Sequence, residues 1–134
     1  MRRTFANAYW TLDERPDGVL LITRTSEVYA TIGDITRSFD ALLTALAPYR
    51  GTSRPLLCDI RAARGRHDDE YVRAASREPQ ELAKRFVRIA ILTRTAAGTL
   101  QVRRSLAEAG RRIGVFTSEP DALAFLMSDD RTAP

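Results

Sequence analysis

The feature that most constrains this chain is an alternation of two periodicities. Short apolar runs, Pro55–Ile60, Val87–Thr93 and Arg112–Thr117, alternate with longer stretches whose apolar residues recur at helical spacing. A run of four to eight apolar residues bounded by turn formers reads as a buried strand. From Asp34 to about Tyr49, Ile35, Phe39, Leu42, Leu43 and Leu46 fall at i, i+4, i+7, i+8 and i+11, one face of an amphipathic helix. Strands separated by helices pair through crossovers, which predicts a mostly parallel sheet.

The remaining punctuation fits this frame. Tyr9–Glu14 and Val19–Arg24 are β-prone and flank Arg15-Pro16-Asp17-Gly18, the pattern of an antiparallel hairpin. Asp34 or Thr31 is positioned to cap the first helix, which Pro48 and Gly51 bracket at its end. A second helix is expected from about Asp68 to Ser76, ended or kinked by Pro79, with a short continuation through Leu82. Thr95 caps a third helix running to Ala109, with Leu100 and Leu106 inward and Gly110 closing it. Ser118 caps a fourth helix with Pro120 in its first turn and Ala122, Leu123, Phe125, Leu126 and Met127 on its apolar side. The predicted fold is α/β, one mixed sheet in the order β-β-α-β-α-β-α-β-α. It forms a single domain over residues 1–134 with an ordered core of about 9–127. Met1–Tyr9 is expected to precede the first strand and fold over an edge, with Tyr9 and Trp10 as packing residues. Exposed sheet edges suggest a homodimer.

Composition narrows the setting. Cys58 is the only cysteine, so no intramolecular disulfide is possible and a reducing compartment is expected. No run approaches the roughly 20 apolar residues of a membrane span, and no apolar stretch follows Arg2 and Arg3, so a cytoplasmic location without membrane insertion is expected. The net charge of +4 lies wholly in the second half: residues 1–60 carry seven arginines and seven acids, the rest fourteen basic residues and ten acids. Arg103, Arg104, Arg111 and Arg112 carry much of that excess, but no aromatic interleaving or nucleic-acid motif accompanies them, which argues against a nucleic-acid partner.

Two stretches resemble a known family. One is the strand ending Leu57-Cys58-Asp59-Ile60, followed about ten residues later by the acidic helix start His67-Asp68-Asp69-Glu70; the other is Val115-Phe116-Thr117-Ser118-Glu119-Pro120-Asp121-Ala122-Leu123-Ala124-Phe125-Leu126. With the element order they resemble the bacterial STAS domain of anti-sigma-factor antagonists and sulfate-transporter ends. The likeness is greatest to its small stand-alone, STAS-like branch, most of whose members have no assigned activity. The resemblance implies a regulatory module that binds a protein partner around the start of the second helix. Phosphorylatable antagonists carry an Asp-Ser-Ser/Thr-Gly-like sequence there, whereas His67, Asp68 and Asp69 offer no hydroxyl. A phosphate adds about −1.5 to −2 charge and a carboxylate only −1, though both suit a helix N-terminus.

Candidate sites follow from chemistry and location. The partner-binding set is Asp68, Asp69, Tyr71, Arg61 and Arg64. The alternative is an anion site, for a nucleotide, phosphate or acidic lipid headgroup, at the carboxyl ends of the strands, where open α/β sheets bind ligands. Its residues are Arg64, Arg66, His67, Arg94, Thr95, Thr117 and Ser118, arginines beside helix starts being suited to anions. No catalytic residue is assigned. His67 lacks a partnered nucleophile, Cys58 reads as a small buried apolar residue, and one histidine with one cysteine gives no zinc spacing. Neither a cofactor nor a metal is implied.

Overall fold

The structure is a computed structural model and describes residues 1–64, 69–105 and 113–128. They form a six-stranded sheet whose spatial order follows the sequence: β1 (Arg2–Ala6), β2 (Trp10–Glu14), β3 (Leu20–Arg24), β4 (Leu56–Asp59), β5 (Ile89–Leu92) and β6 (Ile113–Phe116). β1–β2 and β2–β3 pair antiparallel, and β3 to β6 are parallel. The helices are α1 (Ile32–Leu46, continued by a 3-10 turn at Ala47–Tyr49), α2 (Asp69–Ala75), α3 (Arg77–Ala83), α4 (Ala96–Ser105) and α5 (Glu119–Met127). The predicted mixed α/β sheet with an antiparallel edge is present.

Two elements differ from the sequence reading. Residues 2–6 form a sixth strand, β1, rather than a segment folded over an edge. Its side chains are mostly exposed, so it lacks the apolar alternation that marks a strand. Pairing holds it instead, reinforced by ion pairs from Arg2 to Glu14 and from Arg3 to Asp13 (3.2 Å). Asn7 Oδ1 accepts from the Tyr9 and Trp10 amides at 2.9 and 2.7 Å and shapes the turn into β2. The predicted second helix is two helices, α2 and α3, with Ser76 between them and Pro79 in the first turn of α3. A proline lacks an N–H but needs none in a first turn.

Strand alternation sorts the core onto two faces. Trp10, Leu12, Leu20, Ile22, Leu56, Cys58, Ile89, Ile91 and Val115 pack with Phe39, Leu42 and Leu46 of α1 and Leu82 of α3. Leu57, Ala90 and Leu92 face the other way, against Ala122 and Leu126 of α5. Each fully buried Leu or Ile contributes roughly 1.5–3 kcal/mol. Two residues expected to face inward do not: Leu100 on α4 is 57% exposed and Met127 at the end of α5 is 53% exposed. Neither turns its side chain onto the sheet.

The caps are as the sequence suggests, with one refinement. Thr31 is the N-cap of α1 and Asp34 its reciprocal partner: Thr31 Oγ1 accepts from the Asp34 amide, and Asp34 Oδ2 accepts from the Thr31 amide, both at 3.2 Å. Gly18 closes the β2–β3 turn at φ +89°, a left-handed conformation that favours glycine. Gly114 on β6 is required by space: a Cβ there would lie 2.5 Å from Phe116 Cε2 and 3.3 Å from Phe125 Cδ2.

Candidate functional site

The sheet face bearing Cys58 and Ile91 is incompletely filled at its carboxyl end. Trp10↔Arg24 on β2–β3 and Cys58↔Ile91 on β4–β5 are paired positions, and beyond them Ile60 and Thr93 continue the floor. The short helices α2 and α3 and the first half of α4 stand over this region. Between them lies a cavity of about 590 Å³. Pockets of roughly 300–1,000 Å³ suit small molecules.

Its walls are mostly apolar: Val72 and Ala75 from α2, Pro79 and Leu82 from α3, Ala97 and Val102 from α4. Polar and charged residues interrupt that character, Arg24, Arg64, Glu78 and Arg94 among them. Among the described residues, the buried side-chain polar atoms without a hydrogen-bond partner are Trp10 Nε1, Tyr29 Oη and Glu78 Oε2. All three residues line this one cavity. A buried polar atom left unpaired costs about 1–3 kcal/mol, and such atoms are rare in folded proteins.

The electrostatics around Glu78 follow from its surroundings. Burial pushes its carboxyl up to about 8, against the pull of Arg24 and Arg77. Arg24 is itself buried, at 3% exposure. Its guanidinium donates to the carbonyls of Thr25 (2.6 Å) and Glu27 (2.7 Å) and lies 4.2 Å from the Tyr29 ring centroid. Arg24 therefore acts on Glu78 at a distance, without an ion pair between the two. Burial also raises the Tyr29 hydroxyl and, far more strongly, the Cys58 thiol, which keeps that sulfur protonated.

Arginines gather at the strand ends. Arg61 is committed to Asp59 through its Nε (3.0 Å), Nη2 (2.9 Å) and backbone amide (3.0 Å). For Asp59, burial pushes upward but the Arg61 bonds prevail and its carboxyl sits below the usual range. Arg64 and Arg94 also line the cavity, are exposed and have no ion pair among the described residues.

The predicted site residues divide accordingly. Arg61, Arg64, Tyr71, Arg94 and Thr95 are brought together around the cavity. Tyr71 is half-buried, its ring 6.1 Å from Tyr29, and Thr95 Oγ1 accepts from the Gly98 amide at 3.0 Å as the cap of α4. Asp69 is exposed in the first turn of α2. Thr117 and Ser118 do not line the cavity: Ser118 caps α5 through the Asp121 amide at 3.4 Å, and α5 packs on the opposite sheet face. Arg66, His67 and Asp68 lie outside the described residues, as do Leu106, Ala109, Gly110, Arg111 and Arg112. Arg103 donates to the Val115 carbonyl at 3.4 Å. Glu78, Trp10, Tyr29 and Arg24 were not among the predicted site residues. A signal was present for Glu78, because Glu78 and Leu82 at i and i+4 share a helical face. Among the described residues no group of three or more His, Cys, Asp or Glu could hold a metal ion, and no helix is long and apolar enough to cross a membrane.

This mixed sheet, with its antiparallel edge and helices between parallel strands, defines a STAS-like α/β fold. The chain is similar to a solved structure of an uncharacterised protein from the DUF3478 family with a SpoIIAA-like fold, from Shewanella loihica. The TM-score is 0.61 at 18% identity, over 92% of this chain and 98% of that one. No family model and no curated protein matches the sequence.

Proposed function

We propose that this protein binds a small amphipathic anion, a molecule with an apolar body and a carboxylate or phosphate at one end. The cavity at the strand carboxyl ends carries this reading: it couples mostly apolar walls to two arginines, Arg64 and Arg94, that have no ion pair among the described residues. An apolar body gains about 25 cal/mol per Å² on leaving water, and an arginine fork holds a carboxylate or phosphate by charge-assisted bonds. Inorganic phosphate would leave the apolar walls unused, so an alkyl acid or alkyl phosphate fits better.

Trp10 is the only tryptophan and lines the cavity, so its emission is a built-in reporter. Titration with decanoate and decyl phosphate is expected to shift Trp10 emission and raise the unfolding temperature. The Arg64→Ala/Arg94→Ala double variant should bind both at least about tenfold more weakly. Unchanged emission and unfolding temperature with either compound at millimolar concentration would overturn the proposal.

The second reading is docking of a protein partner at the start of α2. It is favoured by the exposure of Asp69 and Glu70 in that first turn, neither of which makes an ion pair among the described residues. Asp69→Lys should then release a partner recovered from the native host with the wild type; equal recovery by both would remove this surface.

A further inference from the structure

We infer that the face at the amino ends of the parallel strands, at the opposite end of the sheet from the cavity, docks an acidic segment of a partner protein. That segment carries one bulky aliphatic side chain between its acidic residues.

The first observation is charge. β2 ends on this face at Glu14, which pairs with Arg2 and, at 2.8 Å, with Arg54. Arg54 precedes β4, donates to the Gly18 carbonyl at 3.1 Å and lies 5.5 Å from the Tyr49 ring centroid. In the β2–β3 turn Arg15 pairs with Asp17 at 3.0 Å. Arg50 follows the 3-10 turn that ends at Tyr49, and at the end of α3 Lys84 and Arg85 share Glu81 at 3.4 and 2.9 Å. Six basic residues thus meet three acids, so three of the chain's four net positive charges collect here. The adjoining pairs Arg3–Asp13 and Arg77–Asp40 are balanced. The bonds from Arg54 and Arg2 hold the Glu14 carboxyl below its usual range, and those from Arg85 and Lys84 do the same for Glu81. Each carboxylate is therefore ionised and overmatched. Like charges repel one another, and exposed ion pairs add little to stability, so the fold gains little from this surplus.

The second observation is a cleft of about 200 Å³ on the same face. Leu43, Leu46 and Ala47 at the end of α1 give it an apolar lining, and Arg50 and Arg85 line it as well. Arg50 is exposed and its side chain makes no ion pair or hydrogen bond among the described residues. Arg85 gives its Nη1 to the Glu81 carbonyl and carboxylate, and its Nη2 has no hydrogen bond among the described residues. Carboxylates on the partner suit these two guanidinium groups, and an aliphatic side chain between them suits the leucine lining. A nucleic acid matches the charge but has no aliphatic side chain to place in the cleft. A lipid surface matches the charge but is too flat to fill a concavity.

The test uses the full-length protein and a fluorescein-labelled, amidated peptide, Asp-Glu-Asp-Leu-Glu-Asp-Glu, with a twin that has serine at the centre. Binding is read by fluorescence anisotropy at about 50 mM salt, where surface charges are weakly screened. The leucine peptide is expected to bind at least about tenfold more tightly than the serine peptide. Arg50→Glu and Arg85→Glu should each weaken it at least about fivefold, with folding checked by thermal unfolding. Arg50 has no partner to lose, so Arg50→Glu keeps the test open if Arg85→Glu does not fold. The Arg64→Ala/Arg94→Ala double variant, altered at the other end of the sheet, should bind the peptide within about twofold of wild type. Competition by oligothymidine and by phosphatidylcholine vesicles containing phosphatidylglycerol tests the other anionic surfaces. Equal binding of the two peptides, wild-type affinity in Arg50→Glu, or tighter binding of the oligonucleotide or the vesicles would overturn the inference. So would absence of binding by the leucine peptide at millimolar concentration.

Discussion

Replacing Glu78 by glutamine changes one proton and almost no volume, and the consequence for stability is calculable. The carboxyl titrates near 8 in the folded protein against an ordinary 4.5. On raising the pH the unfolded chain loses this proton first, so the folded state holds more protons between the two values and stability falls with pH. The contribution is fully present below about pH 4.5 and is lost as pH rises through 8. Each pH unit inside that window removes about 1.4 kcal/mol, which gives roughly 4 kcal/mol between pH 5 and pH 9. For a domain of this size that is on the order of 12–20 °C in unfolding temperature. The charged and titratable groups that interact with Glu78 are Arg24, Arg77, Tyr29 and Cys58. They are common to both proteins and cancel to first order in the difference. The assay is urea unfolding of wild type and Glu78→Gln at pH 5, 6, 7, 8 and 9, followed by circular dichroism. The gap between the two should widen in favour of glutamine by roughly 4 kcal/mol. Parallel curves, within about 1 kcal/mol across that range, would refute the reasoning: the carboxyl would then reach water through the cavity and titrate near its ordinary value.

Two further substitutions test the fold that frames the site. Gly114→Ala places a methyl 2.5 Å from the Phe116 ring and should cost about 1–3 kcal/mol in denaturant unfolding. Phe116→Leu in the same chain should recover part of that loss, and a neutral Gly114→Ala would sink the packing account. Thr31→Ala removes the side chain that accepts from the Asp34 amide and should cost about 1 kcal/mol, whereas Thr31→Ser should retain most of the stability.

Elements that bury a periodic apolar face were legible in the sequence. Ile35, Phe39, Leu42 and Leu46 mark α1 and are all buried, and the run at Leu56–Asp59 is the central strand with Cys58 inside it. β1 was not legible because Arg2, Arg3 and Thr4 are exposed and show no alternation; its partners Asp13 and Glu14 lie on the next strand. Leu100 and Met127 misled because helical spacing gives a direction without saying whether a neighbour lies there. The arginines and Thr95 of the cavity were found by the rule that ligands sit beyond the carboxyl ends of parallel strands. That rule also swept in Thr117 and Ser118, which share the sheet end but lead into α5 on the other face. Trp10, Tyr29 and Glu78 escaped it, since the first two look like packing aromatics and Glu78 like a helix acid until the fold places all three among the residues lining the cavity.

The helical stretch that follows β4 and borders the cavity is divided into α2 and α3. A single continuous helix after β4 would lay one unbroken apolar ridge on the sheet, as α1 does with Phe39, Leu42 and Leu46. Here seven residues of α2 and seven of α3 are separated at Ser76. Only Leu82 of that pair is fully buried, and the remaining contacts are made by Tyr71, Val72, Ala75 and Pro79 around open space. The same short helix is thus two-sided: Asp69 and Glu70 face solvent while Tyr71 and Val72 border the cavity. Helices with few buried residues are the cheapest part of a fold to shift. An occupant pressing on Tyr71 and a partner gripping Asp69 would therefore act on the same short helix, and linkage makes such an effect reciprocal. On that view the ligand and docking readings are two faces of α2 and need not compete.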